Sequence, residues 1–454
     1  MFDEAISIGN KVITSSQKKG IEAIEIFFEY SNNKQVMMNN TSISTQRAKE
    51  ELGAGIRVIH KGSVGFSSTN IITKEALEKC TTEAFAIAKS TPKIEGVELP
   101  TKKPFKEIKG TFNQNLADLS VESIIKDAND FIEGFTSIDS RVKTLLSNAT
   151  VTVNGNAIVN SNGLEAQDKS SYYTGTFMGI ASDKDKAGAY TFDSAFSRKH
   201  DIDFLSIGKK IGKSAIDNLN QTTVKSFEGP VIFKPDAMFS PFLIVMAFAI
   251  SADWRQRGIS SWKDSLGDKI AIDSLNLTDK PFDLGAGSGV RAFDSEGNPT
   301  KEIEIVKDGV LQTFIHNQRT ANKEKLESTG NAVRSMGGQP DFTQAPGNIF
   351  PNSPWVHPGD VSEEEMIQDT KRGIIVHNYQ GTVRYQNGIF SGVAKGAYLI
   401  ENGEITKPVT GISISGNVFE LLHKIQAIGK ELHLTSSYAM TPIMKFDDIK
   451  ISTK

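Results

Sequence analysis

Residues 5–30 read AISIGNKVITSSQKKGIEAIEIFFEY and change from one hydrophobic period to another. In the first half apolar residues recur at three- and four-residue spacing, which predicts an amphipathic helix, and Gly20 suits the cap at its C-terminal end. The helical stripe consists of Ala5, Ile6, Gly9, Val12 and Ile13. From Ile24 to Tyr30 apolar residues occupy alternate positions, which is typical of a strand with one buried face. The stretch therefore predicts a helix that leads into a sheet.

The strand pattern continues to about Thr69, and a second helix follows. Lys61-Gly62 fits a hairpin turn because glycine accepts positive φ, and Thr73 can cap the helix. The predicted inner face of that helix is Leu77, Cys80, Ala84 and Ile87. A cysteine in such a stripe is predicted to be a core residue, since a reactive thiol needs exposure and a basic neighbour. Residues 1–90 thus form a predicted N-terminal α+β module.

Three further regions follow along the chain. Residues 91–117 contain prolines among several lysines and predict a linker. Residues 118–222 repeat the order helix, strands, helix, and residues 223–454 show many strand patterns and few helices. Hairpin turns are predicted in this last region at Asp308-Gly309, Asn387-Gly388 and Asn402-Gly403. The predicted fold class is α+β, with N-terminal helix-strand-helix modules followed by a large antiparallel β-rich C-terminal domain.

The most apolar stretch, AMFSPFLIVMAFAI at residues 237–250, predicts a buried helix. Asp236 and Asp253 bound it at fewer than the roughly 18 residues that a membrane-spanning helix requires. Ser240 and Pro241 fit the N-cap and the first position of this helix.

Two other helix starts have the spacing of a capping box. In this motif the first residue's side chain accepts from the backbone N–H three positions later, and the side chain at that later position accepts from the backbone N–H of the first residue. Ser362 and Glu365 form one such pair, and Asn417 and Glu420 form the second. The second pair predicts a helix that continues to Gly429, with His423 on its outward face.

Composition excludes several classes of protein. The length of 454 residues predicts more than one domain, and a formal charge of −3 with scattered basic residues offers no stripe for nucleic acid. The first residues lack the basic flank and apolar run of a signal peptide, and a single cysteine agrees with a reducing compartment. We therefore expect a cytoplasmic protein with neither nucleic acid nor a membrane as partner.

Other motifs have no functional reading in the sequence. GKKIGKS at residues 208–214 places its first glycine one residue too close for a phosphate loop and lies within a helical pattern. GAGSG at residues 285–289 predicts a loop. The seven histidines never pair at the spacing of two zinc ligands on one helix face, and His316, at the end of a strand pattern, is expected to be structural.

Three stretches, taken in order and spacing, resemble the TldD/PmbA family of U62-like peptidases, historically called modulators of DNA gyrase. They are GIRVIHKGSVGFSSTN from Gly55, RAFDSEGNPTKEIEIVKDGVLQTFIHN from Arg291, and GAYLIENGEITKPVTGISISGNVFELLHKIQAIGKEL from Gly396. The resemblance covers nearly the whole chain, and it implies one of two subunit types. TldD-type subunits hold zinc with a His-Glu-x-x-x-His helix and a distant cysteine, whereas PmbA-type subunits, also called TldE, lack these ligands. The two types form a heterodimer that cleaves small or unfolded peptides in the cytoplasm.

The segment SADWRQRGISSWKDSLG from Ser251 resembles the piece that follows the zinc helix and so provides a register. In that register the histidine positions are Leu243 and Phe248, and the glutamate position is Ile244. The cysteine ligand falls near residues 440–441, far along the chain from Cys80. The resemblance implies a PmbA/TldE-type subunit with no metal or other cofactor of its own, and zinc in a TldD-type partner. The three apolar residues are expected to fill the former zinc cavity as core.

Two alternatives stay open. One is a peptide-binding scaffold without proteolysis, and the other is a metal-independent hydrolase that uses carboxylates such as Asp253, Asp294 or Glu296. For Asp294 and Glu296 the turn-like sequence FDSEGNP favours side chains that bond to nearby backbone. A paralogue with a His-Glu-x-x-x-His helix in the same genome would favour the metalloprotease subunit, and its absence would favour the alternatives.

Overall fold

The computed structural model of the protein describes residues 2–184, 186–336 and 341–453. Its fold class is α+β, as predicted, with two large sheets that are mostly antiparallel and are covered by helices. None of the helices in the described ranges has both the length and the apolar character needed to cross a membrane.

The first sheet is built by strands from both N-terminal modules. Its strands are β1 Ala23–Asn39, β2 Ser42–His60, β3 Ser63–Thr69, β4 Val142–Thr144, β5 Ser147–Asn160, β6 Glu165–Asp183, β7 Lys186–Ala187 and β8 Thr191–Ser197. They pair in the order β3-β2-β1-β5-β6-β4, and β7 and β8 also pair with β6. Strand β1 lies between β2 and β5, with Phe28 opposite Ala54 on one side and Ala157 on the other. The two modules therefore share one continuous sheet.

Helices cover this sheet in two groups. They are α1 Asp3–Gln17 and α2 Lys74–Ser90 over one half, and α3 Gln114–Ala117, α4 Val121–Thr136 and α5 Phe204–Asp217 over the other. Cys80 is buried in the first group, which confirms the prediction that it is a core residue. The prediction for Ile87 is wrong, because the buried face of α2 continues from Ala84 to Ala88 and leaves Ile87 43% exposed.

The glycines of the GKKIGKS segment have a packing role. They lie in α5, as predicted, and this helix is in close contact with α4. A Cβ atom added to Gly208 would lie 2.3 Å from the carbonyl oxygen of Phe131, and one added to Gly212 would lie 2.8 Å from that of Phe135. Real Cβ atoms do not approach backbone so closely, so the two helices can meet at this distance only where α5 carries glycine.

We expect Gly208→Ala to lower the free energy of unfolding by about 1 to 3 kcal/mol, because the added methyl group forces α4 and α5 apart. Helix propensity alone would give a small gain in the other direction. Urea unfolding of the variant and of Lys209→Ala, a change on the exposed face of the same helix, measures the difference. A Gly208→Ala protein as stable as Lys209→Ala would show that the helices can separate freely.

The second sheet forms the C-terminal domain, and part of it closes on itself. Its strands are β9 Phe227–Phe233, β10 Leu277–Asp279, β11 Ile303–Lys307, β12 Val310–Leu311, β15 Pro354–Val356, β16 Arg372–Arg384, β17 Ile389–Glu401, β18 Glu404–Val409, β19 Ile412–Asn417, β20 Ile425–Thr435 and β21 Ala439–Thr453, while β13 Ala332–Val333 and β14 Asn348–Ile349 form a separate small pair. The order is β12-β11-β10-β15-β21-β19-β17-β16-β9, and β9 pairs again with β21. Strands β21, β19, β17, β16 and β9 therefore form a closed ring.

The apolar stretch packs against this ring as a helix, which confirms the prediction that it is buried. It consists of α6 Pro235–Met238, a π-helical turn Phe239–Leu243 and α7 Ile244–Ala249, followed by α8 Ala252–Gln256. The predicted start at Ser240 is wrong, because Pro235 already occupies the first turn after an extended Lys234. Pro241 lies inside the π-helical turn, where the wider hydrogen-bonding pattern accommodates a residue without an N–H.

The remaining helices are short. They are α9 Gln318–Glu324, α10 Glu363–Gln368 and α11 Val418–Leu421, with 3₁₀ turns at Asn218–Asn220, Leu284–Gly289 and Asp341–Thr343. The loop predicted at residues 285–289 is thus a 3₁₀ turn. The capping box of Ser362 and Glu365 is present as predicted.

The helix predicted from Asn417 to Gly429 is wrong beyond its first turn. Asn417 does cap α11, but its side chain accepts from the N–H of Phe419 and not from the position that a capping box requires. From Ile425 onward the chain is strand β20, because its apolar residues pair with β21 across the sheet. His423 is exposed in the turn between α11 and β20.

Candidate functional site

The three positions of the family's zinc helix lie at the junction between the π-helical turn and α7. Leu243 ends the turn and is buried, while Ile244 and Phe248 lie on α7 and are half-buried. The expectation that all three fill the core is therefore right for Leu243 and wrong for the other two. Hydrophobic side chains in the rest of this helix, such as Val245 and Met246, supply the core contacts.

Phe248 belongs to a group of half-buried rings that we call the aromatic cluster: Phe239, Phe248, Trp254, Phe350, Tyr385 and Tyr438. The Phe248 ring stacks on Trp254 at 4.4 Å between centroids and also contacts Tyr385 at 5.0 Å and Phe350 at 6.1 Å. Such contacts stabilise each ring beyond its buried area. No local pattern in the sequence predicts this cluster, because its members are spread from residue 239 to residue 438.

The cluster connects the two parts of the chain that the family register places at the zinc site. Tyr438 lies just before residues 440–441, where the cysteine ligand is expected, and its ring contacts Phe239 at 6.4 Å and Phe350 at 5.7 Å. Its hydroxyl is buried and has no hydrogen-bond partner among the described residues, and burial raises its pKa well above the usual value. The fold therefore brings the helix and the start of β21 together, as the register implies.

These residues do not fit a zinc ion. Zinc in proteins is held by imidazole, thiolate or carboxylate groups, and Leu243, Ile244 and Phe248 offer none of them. Within residues 2–184, 186–336 and 341–453, no three side chains of His, Cys, Asp or Glu converge as metal ligands would. We therefore derive no catalytic step through a metal in this chain.

Of the three carboxylates proposed for a metal-independent hydrolase, Asp253 lies in one network, and Asp294 and Glu296 adjoin each other in another. Asp253 forms ion pairs with Arg257, at 3.3 Å, and with Arg319. Asp294 accepts backbone hydrogen bonds from Glu296 at 3.0 Å, Asn298 at 2.9 Å and, across the chain, from the N–H of residue 332 at 3.0 Å. The first two bonds confirm the prediction that this side chain bonds to nearby backbone. Burial, with the charge of Glu296, raises the pKa of Asp294 to about 7.

Glu296 also takes part in a buried chain of charges between the first sheet and loops of the C-terminal domain. It forms an ion pair with Arg57 at 2.9 Å, and Arg57 pairs with Glu25 at 2.5 Å. Glu25 also pairs with Arg334, and all four side chains are almost fully inaccessible to solvent. We call Glu25, Arg57, Glu296 and Arg334 the charge chain. Each carboxylate in it is neutralised by an arginine, so neither is free to act as a base.

His316 is buried, as is common for a structural histidine. Burial lowers the pKa of its imidazole, and Nδ1 has no hydrogen-bond partner among the residues that the structure describes. Its backbone is held by Thr329, whose hydroxyl accepts from the N–H of His316 at 2.6 Å.

Family models match each part of this fold. Residues 226–453, half of the chain, match the PmbA/TldA metallopeptidase C-terminal domain. Residues 24–88 match domain 1 of the same metallopeptidases, and residues 114–219 match their central domain. The three matches, in chain order, place the protein in the class of metallopeptidase-family chains with these three domains.

Individual relatives agree with the family models over most of their length. A metalloprotease of Methanocaldococcus jannaschii is 25% identical over 440 residues, which cover 92% of this chain and 94% of the relative. A metalloprotease PmbA homolog of Buchnera aphidicola is 30% identical over 322 residues, which cover 70% of this chain and 67% of the relative. The chain belongs to the PmbA/TldD metallopeptidase family.

Solved structures share the fold over its full extent. A candidate modulator of a DNA gyrase from Thermotoga maritima superposes with a TM-score of 0.87 at 26% identity and covers 100% of both chains. TldE from Thermococcus kodakarensis superposes with a TM-score of 0.89 at 23% identity and covers 98% of this chain and 100% of the other.

Proposed function

We propose that this chain is the PmbA/TldE-type subunit of a cytoplasmic TldD-TldE-like metalloprotease that cleaves small or unfolded peptides, and that it is noncatalytic itself. The observation that carries the proposal is the identity of the residues at the zinc-helix positions. Leu243, Ile244 and Phe248 can neither bind zinc nor transfer a proton. Zinc and the general base would both come from a TldD-type paralogue in a heterodimer.

The aromatic cluster supports a binding role for this part of the chain. Its rings are only half-buried, and Phe248 stacks on Trp254 and packs at a tilt against Tyr385, so the three rings present a fixed apolar surface. Aromatic residues that are rigid and partly exposed are typical of surfaces that contact a partner or a peptide. In the proposed complex this surface contacts the sibling subunit or the substrate next to it.

The test is a time course of cleavage of an unfolded peptide by each subunit alone and by both together. This chain alone is expected to show only background cleavage, because it supplies neither a metal-activated water nor a positioned base. Together with its zinc-bearing sibling it is expected to support cleavage that a chelator abolishes. Zinc measured on each purified subunit should be stoichiometric only for the sibling.

Two variants separate assembly from chemistry. Substitution of the glutamate in the sibling's zinc helix should abolish cleavage, whereas Ile244→Ala at the matching position of this chain should act only through folding or assembly. Robust chelator-resistant cleavage by this chain alone would reject the noncatalytic role and favour a metal-independent hydrolase. If this chain binds peptide tightly but does not increase cleavage by any sibling subunit, the peptide-binding scaffold without proteolysis is favoured.

A further inference from the structure

A cavity of about 650 Å³ lies where the first sheet, the segment before α3 and the C-terminal domain meet, and Leu243, Ile244 and Phe248 are not among its lining residues. Its floor is formed by β1, β5 and β6, and its walls by residues 105–112 and 288–295. The volume is in the range of sites that bind small molecules. Neither the sequence patterns nor the family register pointed to it.

Arg291 lines this cavity and forms no ion pair with the residues that the structure describes. Its Nε lies 3.4 Å from the carbonyl oxygen of Gly289, but no carboxylate of the described residues lies within ion-pair distance of its guanidinium. The other arginines around the sheet interface, Arg57 and Arg334, are fully engaged in the charge chain. A half-buried guanidinium with free terminal N–H groups is a ready site for a planar anion that accepts two parallel hydrogen bonds.

Asp168 faces the same cavity and also has no ion-pair partner among the described residues. It accepts a hydrogen bond from the N–H of Asn156 at 3.2 Å. Burial raises its pKa to about 6, while the charge of Arg291 and the bond from Asn156 oppose the rise. Arg291 is thus near enough to influence Asp168 and too far to pair with it, so the cavity holds a separated cation and anion.

The overall charge of the lining favours a zwitterion over a free dianion. The acidic residues are Glu29, Glu107, Asp168, Asp294 and Asp341, against Lys106, Lys169 and Arg291. The two lysines lie over aromatic rings, at 4.1 Å from Phe282 and from Phe112 respectively. An inorganic phosphate would meet more carboxylates than cations, whereas a ligand with one carboxylate and one ammonium group would match both signs.

Two aromatic rings line the same cavity as Arg291. Phe105 and Phe293 lie 5.4 Å apart and line the cavity, and Phe293 is close to Arg291 in sequence. Tyr172 on the floor accepts a hydrogen bond from Asn154 at 3.2 Å. An apolar side chain next to the carboxylate of the ligand would find these rings as its contact surface.

We infer that this cavity binds the free C-terminus of a short peptide, with the terminal carboxylate on Arg291, the ammonium group toward Asp168 and an apolar last side chain against Phe105 and Phe293. That the ligand is a peptide, and not a free amino acid with the same two charges, rests on the proposed function. The binding itself is a property of this chain and can be measured without the sibling subunit.

The test is calorimetric titration of the isolated chain with the tripeptide Ala-Ala-Phe and with its C-terminal amide. Loss of a charge-assisted bidentate contact weakens binding by about ten- to a hundredfold, so the amide should bind that much more weakly than the acid. Arg291→Met should weaken binding of the peptide acid to the same extent, and this variant should bind the acid and the amide with equal affinity. Arg47→Met, a change at an exposed arginine, is the matched control and should bind as the unmodified chain does.

Thermal melting of each variant checks that the fold is intact, and the comparison of acid with amide needs no variant at all. Equal affinity for both peptides, no binding at about 10 mM peptide, or tighter binding of inorganic phosphate than of the peptide would each overturn the inference. If Arg291→Met loses peptide binding but still supports peptide cleavage by the zinc-bearing sibling, the result agrees with both proposals. If the unmodified chain binds the peptide acid but does not support cleavage by the sibling, only the proposed protease role is rejected.

Discussion

Arg57→Met is expected to lower the free energy of unfolding by about 3 to 5 kcal/mol, the usual result of removing one partner from a buried ion pair. Arg57 is 3% exposed and neutralises two carboxylates at once, those of Glu25 and Glu296. Without it Glu296 loses its only cation among the described residues, while Glu25 keeps Arg334. Methionine fills much of the volume, so the loss measures the uncompensated charge. Urea unfolding curves of both proteins provide the measurement.

A matched control is Arg141→Met, which removes an arginine from an exposed pair with Asp139 and Asp183. It should leave the free energy of unfolding nearly unchanged, because surface pairs are screened by solvent. Adding Glu296→Gln to Arg57→Met should recover part of the loss, since the orphaned charge is then absent. If Arg57→Met is no more harmful than Arg141→Met, the charge chain does not hold the first sheet to the C-terminal domain.

Phe242→Ala is expected to cost about 3 to 5 kcal/mol, because it empties a buried aromatic site. The Phe242 ring is 2% exposed and contacts Phe446 at 4.5 Å, Phe233 at 5.3 Å and Phe390 at 5.8 Å. These three partners lie on different strands of the closed ring, so the cavity would open at its centre. The surrounding strands are hydrogen-bonded on both sides and cannot collapse into the space.

Phe248→Ala in the same helical segment is the comparison, and about 1 to 2 kcal/mol is expected, because the ring is half-buried and gives up less apolar area. Denaturant unfolding of both variants tests the difference. If Phe248→Ala proved as costly as Phe242→Ala, the aromatic cluster would be part of the core and no longer a candidate contact surface.

Local sequence patterns correctly predicted the structural features that depend on residues close together in the chain. The stripe of α1, the helical pattern around residues 208–214, the capping box at Ser362 and the turn that holds Asp294 are all set by residues within a few positions of one another. For these features the spacing of side chains is sufficient, because the interacting groups are adjacent in the chain.

Where a feature depends on residues that are far apart in the chain, the sequence analysis either predicted it wrongly or did not predict it. The apolar residues after Asn417 have a spacing compatible with a helix, and only pairing with β21 makes them a strand. Arg57 and Glu296 are separated by 239 positions, and no local pattern joins them. The half-buried state of Phe248 likewise depends on Trp254, Phe350 and Tyr385, which come together only in the folded chain.

The pairing of β1 with both β2 and β5 also has a consequence for synthesis of the chain. Strand β1 ends at Asn39, but its second partner is complete only when Asn160 has been added. At the usual rates of translation that interval is on the order of ten seconds. During it a long strand with hydrophobic residues presents an unpaired edge, the kind of surface that recruits other strands. A nascent chain stalled within the linker would therefore be more prone to aggregate than one in which both β5 and β6 have been made.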